Sequence, residues 1–179
     1  MIVLGIDPGT ASTGYAVVSA SGSRLCALSC GVLQTRAGVA LERRLAQIHA
    51  GVGELVDLHR PAAVAIEELY FGTNARTAFA VGQARGVVLL AAGQRQVPTR
   101  SYTPQQVKSA VCGHGGASKE QVGAMVARLL ALPAPPQPDH AADALAVAIC
   151  ELNRAPLQRA LAAATEAGRP QSGYAGARW

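Results

Sequence analysis

The chain has 179 residues, half of them hydrophobic, and a formal charge of +5 with a pI near 9.4. That is enough for one compact domain with a sizeable core and a short extension, and neither a 20-residue apolar span nor a charged-then-apolar leader is present, so a soluble cytoplasmic protein with no membrane partner is expected. Cys26, Cys30, Cys112 and Cys150 contain no Cys-x-x-Cys pair, which points to free thiols rather than a zinc site or a disulfide framework.

In chain order, the apolar run Ile2–Asp7 ends in a Pro-Gly turn, and Thr13–Ala20 and Leu25–Thr35 are strand-like with Ser-Gly between them. Val39–Arg60 carries Leu41, Leu45, Ile48, Val52, Leu55 and Val56 at helical spacing and stops before Pro61, the pattern of a crossover helix. Ala62–Glu67 is a fourth strand. A second helix is predicted from about Asn74 to Gln94, then a short strand from about Val97 to Tyr102, with Pro98 tolerable only near its start. Further helices open at Thr103-Pro104 and at Ser118, where Ser118 and Gln121 have capping-box spacing, and a last one spans Asp139–Leu152. Three strands followed by alternating helix and strand imply an α/β fold: a mixed sheet with helices on both faces. Residues 153–179, rich in Ala, Gly and Arg, read as a flexible or disordered C-terminal tail.

Charge is unevenly spread. Up to Glu67 there are five basic and five acidic residues, whereas from Glu68 to Lys119 Arg76, Arg85, Arg95, Arg100, Lys108 and Lys119 face only Glu68. Such a basic middle third is what a polyanion footprint requires. Lys108 and Lys119, each early in a helix, could reach phosphates, as could Arg76 and Arg85. Tyr70 and Phe71 are adjacent aromatics beside this stretch, suited to stacking on unpaired bases.

Acidic and imidazole side chains fall at strand ends and at a helix start. Asp7 ends the first strand, and Gly5, two residues back on the same face, is expected to leave room for a ligand or metal; an Asx turn within Asp7-Pro8-Gly9 is the structural alternative. Either Glu67 or Glu68 ends the fourth strand facing Asp7, because alternation sends the two to opposite sides. On the last helix Asp143 shares a face with both His140 and Asp139, the latter also an N-cap candidate. Three carboxylates and an imidazole suit Mg²⁺ or Mn²⁺, and a pair of such ions can hydrolyse a phosphodiester without a nucleophilic side chain. In the second helix Gly82 and Gly86 permit close approach of another element, a dimer partner or the sheet.

These residues resemble the RuvC-type Holliday junction resolvases over roughly the first 152 residues. Gly5-Ile-Asp-Pro-Gly-Thr10, Ala65-Ile-Glu67, Gly82-Gln-Ala-Arg-Gly86, Gln106-Val-Lys108 and Ala141-Ala-Asp-Ala-Leu145 occur in order with that family's spacing. The resemblance implies an RNase H-like domain at 1–152 with a mixed five-stranded sheet. It further implies a homodimer that nicks two strands of a four-way DNA junction symmetrically, using two Mg²⁺ ions per active site with Mn²⁺ as a substitute, and that works with the RuvA and RuvB branch-migration proteins. Position by position, it makes Asp7, Glu67, His140 and Asp143 the catalytic and metal-binding set, favouring Glu67 over Glu68 and leaving Asp139 as a cap. Tyr70 or Phe71 would stack on bases, and Arg76, Lys108 and Lys119 would contact DNA. His140 stands where many members have aspartate. Three rivals remain from the residues: a junction-binding protein that does not cut, an RNase H-like nuclease of the YqgF type, and an actin-like ATPase, which would need a second domain.

Overall fold

The computed structural model describes residues 1–68 and 75–167, with side chains described for 1–68 and 78–155. Five strands, β1 (Ile2–Asp7), β2 (Ser12–Ser21), β3 (Arg24–Gln34), β4 (Ala63–Glu67) and β5 (Thr99–Tyr102), form one sheet in the order β3-β2-β1-β4-β5. β2 runs antiparallel to β1 and β3, while β1, β4 and β5 are parallel. The mixed five-stranded sheet expected from the sequence is therefore present. β1 and β4 are covered on both faces, which is why they read as unbroken apolar runs.

Helices α1 (Leu41–His59) and α2 (Ala75–Gln94) cover one face, where Ile48, Val52 and Val56, one turn apart, meet Leu4, Ile6, Val64 and Ile66. α1 ends with Arg60 in the left-handed conformation, its N–H bonded to the Val56 carbonyl, and Pro61 then prevents continuation. On the other face lie α3 (Pro104–Cys112), α4 (Lys119–Leu129) and α5 (Asp139–Ala167). Capping boxes start α3 (Thr103 with Gln106) and α4 (Ser118 with Gln121), so two backbone donors at each entry are satisfied reciprocally. Pro98 sits just before β5, and its carbonyl accepts from Val64 N–H.

Two expectations are corrected. α5 does not stop at Leu152: it continues to Ala167, with Leu152 and Ala155 buried, so the stretch expected as tail begins as helix. Alanine is the strongest helix former, and the run after Asn153 is dominated by it. The remainder, 168–179, lies outside the described residues. The space beside Gly5 is not free for a ligand either. A Cβ there would lie 2.1 Å from the Ala144 carbonyl oxygen and 2.8 Å from Ala148 N, so the missing side chain admits α5 itself.

Gly14 does the same on β2. Its Cβ would stand 2.0 Å from the His140 carbonyl oxygen, and Gly14 is the cross-strand partner of Asp7. Two glycines on neighbouring strands thus let the first turns of α5 rest on sheet backbone, directly behind the end of β1. Among the described residues no helix is long and apolar enough to cross a membrane.

Candidate active site

Parallel strands end side by side, so groups at their carboxyl ends converge. Ile6 pairs with Ile66 across β1 and β4, and one step further Asp7 and Glu67 are neighbours at that edge. Glu68 is exposed, its N–H bonded to the Tyr102 carbonyl, and so takes no part. α5 delivers His140 and Asp143 to the same edge.

Asp7 is held on a stiff loop. The buried Thr13 hydroxyl donates to the Gly9 carbonyl at 2.7 Å and accepts from Gly9 N–H, closing the Pro8-Gly9 turn. Thr35 Oγ1 donates to the Thr10 carbonyl at 2.6 Å, and Arg44 bonds both Thr35 Oγ1 and that carbonyl at 2.8 Å. The turn is thus closed by Thr13 and braced by Arg44, while the Asp7 carboxylate meets His140: Oδ2 is 2.6 Å from Nδ1. A carboxylate only accepts, so Nδ1 carries the proton and Nε2 is left for another partner.

The three carboxylates press on one another. Burial, then the charges of Asp7 and Asp143, push Glu67 up to about 7 against the pull of Lys119. Burial also raises the Asp143 carboxyl, with Lys119 opposing and Asp7 adding to the rise. Lys119 Nζ lies 3.1 Å from Asp139 Oδ2 and 3.3 Å from Asp143 Oδ2. Burial disfavours its charge, but these two acids outweigh it and hold the ammonium above its usual range. Asp139, expected as a cap, is the first residue of α5, and the Pro138 carbonyl accepts that helix's first backbone bonds.

A cavity of about 230 Å³ opens over the cluster, lined by Glu67, Asp143, Lys108 and Lys119 with Val107 and Val122. Two carboxylates and two lysines in one lining suit a phosphodiester flanked by cations. Hard oxygen donors with one imidazole match Mg²⁺ or Mn²⁺, and the repulsion from Asp7 and Asp143 that adds to burial in raising Glu67 is what a bound cation would relieve. Among the described residues no three His, Cys, Asp or Glu side chains yet close around a common point. Asp143 is engaged with Lys119 and would have to turn to take an ion, whereas His140, held by Asp7 through Nδ1, keeps Nε2 for one.

Of the DNA-contact candidates, Lys108 and Lys119 line the cavity. Arg85 does not point outward: it is half-buried and its Nη2 donates to Ser101 Oγ at 2.7 Å, which overturns its assignment to a phosphate. Tyr70 and Phe71 lie outside the described residues, as does the Arg76 side chain. Sequence reasoning missed Arg44 and Thr35, and also Glu151, which is buried on α5 and accepts a hydrogen bond from the Tyr102 hydroxyl at the end of β5. Arg154 lies over the Tyr102 ring, 5.7 Å from its centre. Glu151 ties α5 to the strand whose Tyr102 pairs with Glu67; a carboxylate inside the run Ala148-Ile-Cys-Glu-Leu152 was the available signal.

Residues 3–151 match the family model described as crossover junction endodeoxyribonuclease RuvC. A protein of that name from Pelotomaculum thermopropionicum is 48% identical over 161 residues, covering 90% of this chain and 98% of the relative. Another from Moorella thermoacetica is 52% identical over 156 residues, covering 87% and 93%. Among solved structures, Thermus thermophilus RuvC in complex with Holliday junction substrate superposes with a TM-score of 0.85 at 41% identity, covering 88% of this chain and 96% of the other.

Proposed function

The chain belongs to the RuvC family of crossover junction endodeoxyribonucleases, and we propose that it resolves four-way DNA junctions by paired nicks made at the Asp7, Glu67, His140 and Asp143 cluster. Its fold is the mixed five-stranded RNase H-like sheet. The observation behind the site assignment is the gathering of Asp7, Glu67 and Asp143 at one edge, where burial first and then the two neighbouring charges lift Glu67 to about 7 beside a lysine-lined cavity.

Asp7, Glu67, His140 and Asp143 would hold two Mg²⁺ ions, or Mn²⁺ as a substitute, which when bound would supply water activation and neutralise charge at the scissile phosphate. The chain's own groups do the rest. Asp7 holds position because its loop is pinned by Thr13, Thr35 and Arg44. Asp7 Oδ2 fixes the His140 ring through Nδ1, leaving Nε2 as the ligand atom. Lys108 and Lys119 line the cavity where the phosphate backbone would pass. Tyr70 or Phe71 stacks on unpaired bases, and Arg76 adds a phosphate contact.

Paired symmetric nicking calls for two active sites related by a two-fold axis. A homodimer is supported by α2, where Phe79 is 71% and Leu90 54% exposed and a Cβ on Gly86 would meet nothing, so an apolar stripe lies open. By family resemblance the partners are RuvA and RuvB, the compartment is the cytoplasm, and the nuclease domain is residues 1–152. The reading is tested by incubating the protein with a synthetic four-way junction and a linear duplex of the same sequence, with and without Mg²⁺. Preferential junction binding with Mg²⁺-dependent nicks is expected. Equal binding of both substrates, or no cutting with either Mg²⁺ or Mn²⁺, overturns it.

A further inference from the structure

Lys119, the first residue of α4, pairs with two acids one turn apart on α5. Its Nζ is 3.1 Å from Asp139 and 3.3 Å from Asp143. The two partners differ in surroundings. Asp143, 32% exposed, lines the 230 Å³ cavity beside Glu67, whereas Asp139, 63% exposed, lines a separate cavity of about 330 Å³ bounded by Pro135, Pro136 and Gln137. Lys119 and Asp143 line both cavities and stand between them.

From this placement we infer that Lys119 is a removable counter-ion of the acid cluster, and that Asp139 is the positioning residue that retains it when Asp143 turns to a metal ion. A divalent cation on Asp143 would repel an ammonium 3 to 4 Å away. The flexible four-carbon stem lets the ammonium pivot toward Asp139 without moving α4. Asp139, on the outer side, then keeps the charge at the cavity mouth, where a phosphate oxygen is the next available partner. In the metal-free protein the same lysine lessens the repulsion among Asp7, Glu67 and Asp143, at the cost of weaker metal binding.

The inference rests on the metal-binding reading, and the test separates the two. Mn²⁺ is titrated without DNA by isothermal calorimetry, with free Mn²⁺ counted by electron paramagnetic resonance, into wild type, Lys119→Gln, Lys119→Arg, Asp139→Asn and the Lys119→Gln/Asp139→Asn double variant. Lys119→Gln is expected to bind Mn²⁺ at least about tenfold more tightly than wild type, with Lys119→Arg close to wild type. Asp139→Asn should weaken binding more in the wild-type background than beside Lys119→Gln, because only the former still has a lysine to hold. Unchanged or weaker binding by Lys119→Gln overturns the counter-ion role, and equal effects of Asp139→Asn in both backgrounds overturn its holding role. Absence of Mn²⁺ binding by wild type and Lys119→Gln alike removes the metal reading itself.

Discussion

Glu67→Gln should stabilise the metal-free protein, and the gain should depend on pH. In the folded chain the Glu67 carboxyl is raised from 4.5 to about 7, through burial first and then the neighbouring Asp7 and Asp143 charges. The folded state therefore binds a proton more tightly than the unfolded chain, and stability that is fully present below 4.5 is lost as pH rises through 7. That loss amounts to about 3 kcal/mol at ~1.4 kcal/mol per tenfold change in proton affinity. Glutamine has the same shape and no charge to bury, so at pH 8 the variant should exceed wild type by about that amount, roughly 6–12 °C in melting temperature for a chain of this size. At pH 4, where the wild-type carboxyl is protonated in both states, the two should melt together. Differential scanning calorimetry in EDTA across pH 4 to 8 measures this directly. Saturating Mg²⁺ should then narrow or reverse the gap, because the cation stabilises wild type more. A Glu67→Gln variant no more stable than wild type at pH 8 in EDTA would refute the crowded-acid account.

Three other perturbations follow from the geometry. Gly14→Ala sets a Cβ 2.0 Å from the His140 carbonyl oxygen, so α5 must yield by about 1 Å; about 1–3 kcal/mol of stability and up to ~100-fold in nicking rate should be lost, read by thermal melts and single-turnover cleavage. Phe79→Glu with Leu90→Glu should convert a dimer to a monomer in light scattering, and change paired nicks to unpaired ones. His140→Asp replaces the one nitrogen donor by oxygen and should lower the ratio of Mn²⁺- to Mg²⁺-supported activity; an unchanged ratio would show that the histidine does not set metal preference.

Much of the sheet was legible because its periodicities are local. β1 and β4 are unbroken apolar runs, α1 repeats every turn, and the Ser118–Gln121 box marks the start of α4. What was hidden is whatever depends on a second element. Gly5 reveals a missing side chain but not that Ala144 and Ala148 use the space. Strand alternation could not choose between Glu67 and Glu68, because the choice follows from the parallel pairing of Ile6 with Ile66. Arg85 looked like any other basic residue until Ser101 was found to hold it. Asp139 was expected as a cap, yet its carboxylate meets Lys119, 20 residues upstream. Beyond Leu152 the composition rich in Ala, Gly and Arg fits a tail as well as a helix, and the helix runs on to Ala167.

The most direct test of the central claim uses a supercoiled plasmid bearing an extruded cruciform, which only two nicks placed across the junction can convert to a linear form. Wild type with Mg²⁺ should linearise it and leave ends that a ligase reseals, while Asp7→Asn should bind the junction with wild-type affinity and leave the plasmid intact. Linear product from Asp7→Asn at the wild-type rate, or nicked circles alone from wild type, would contradict the account.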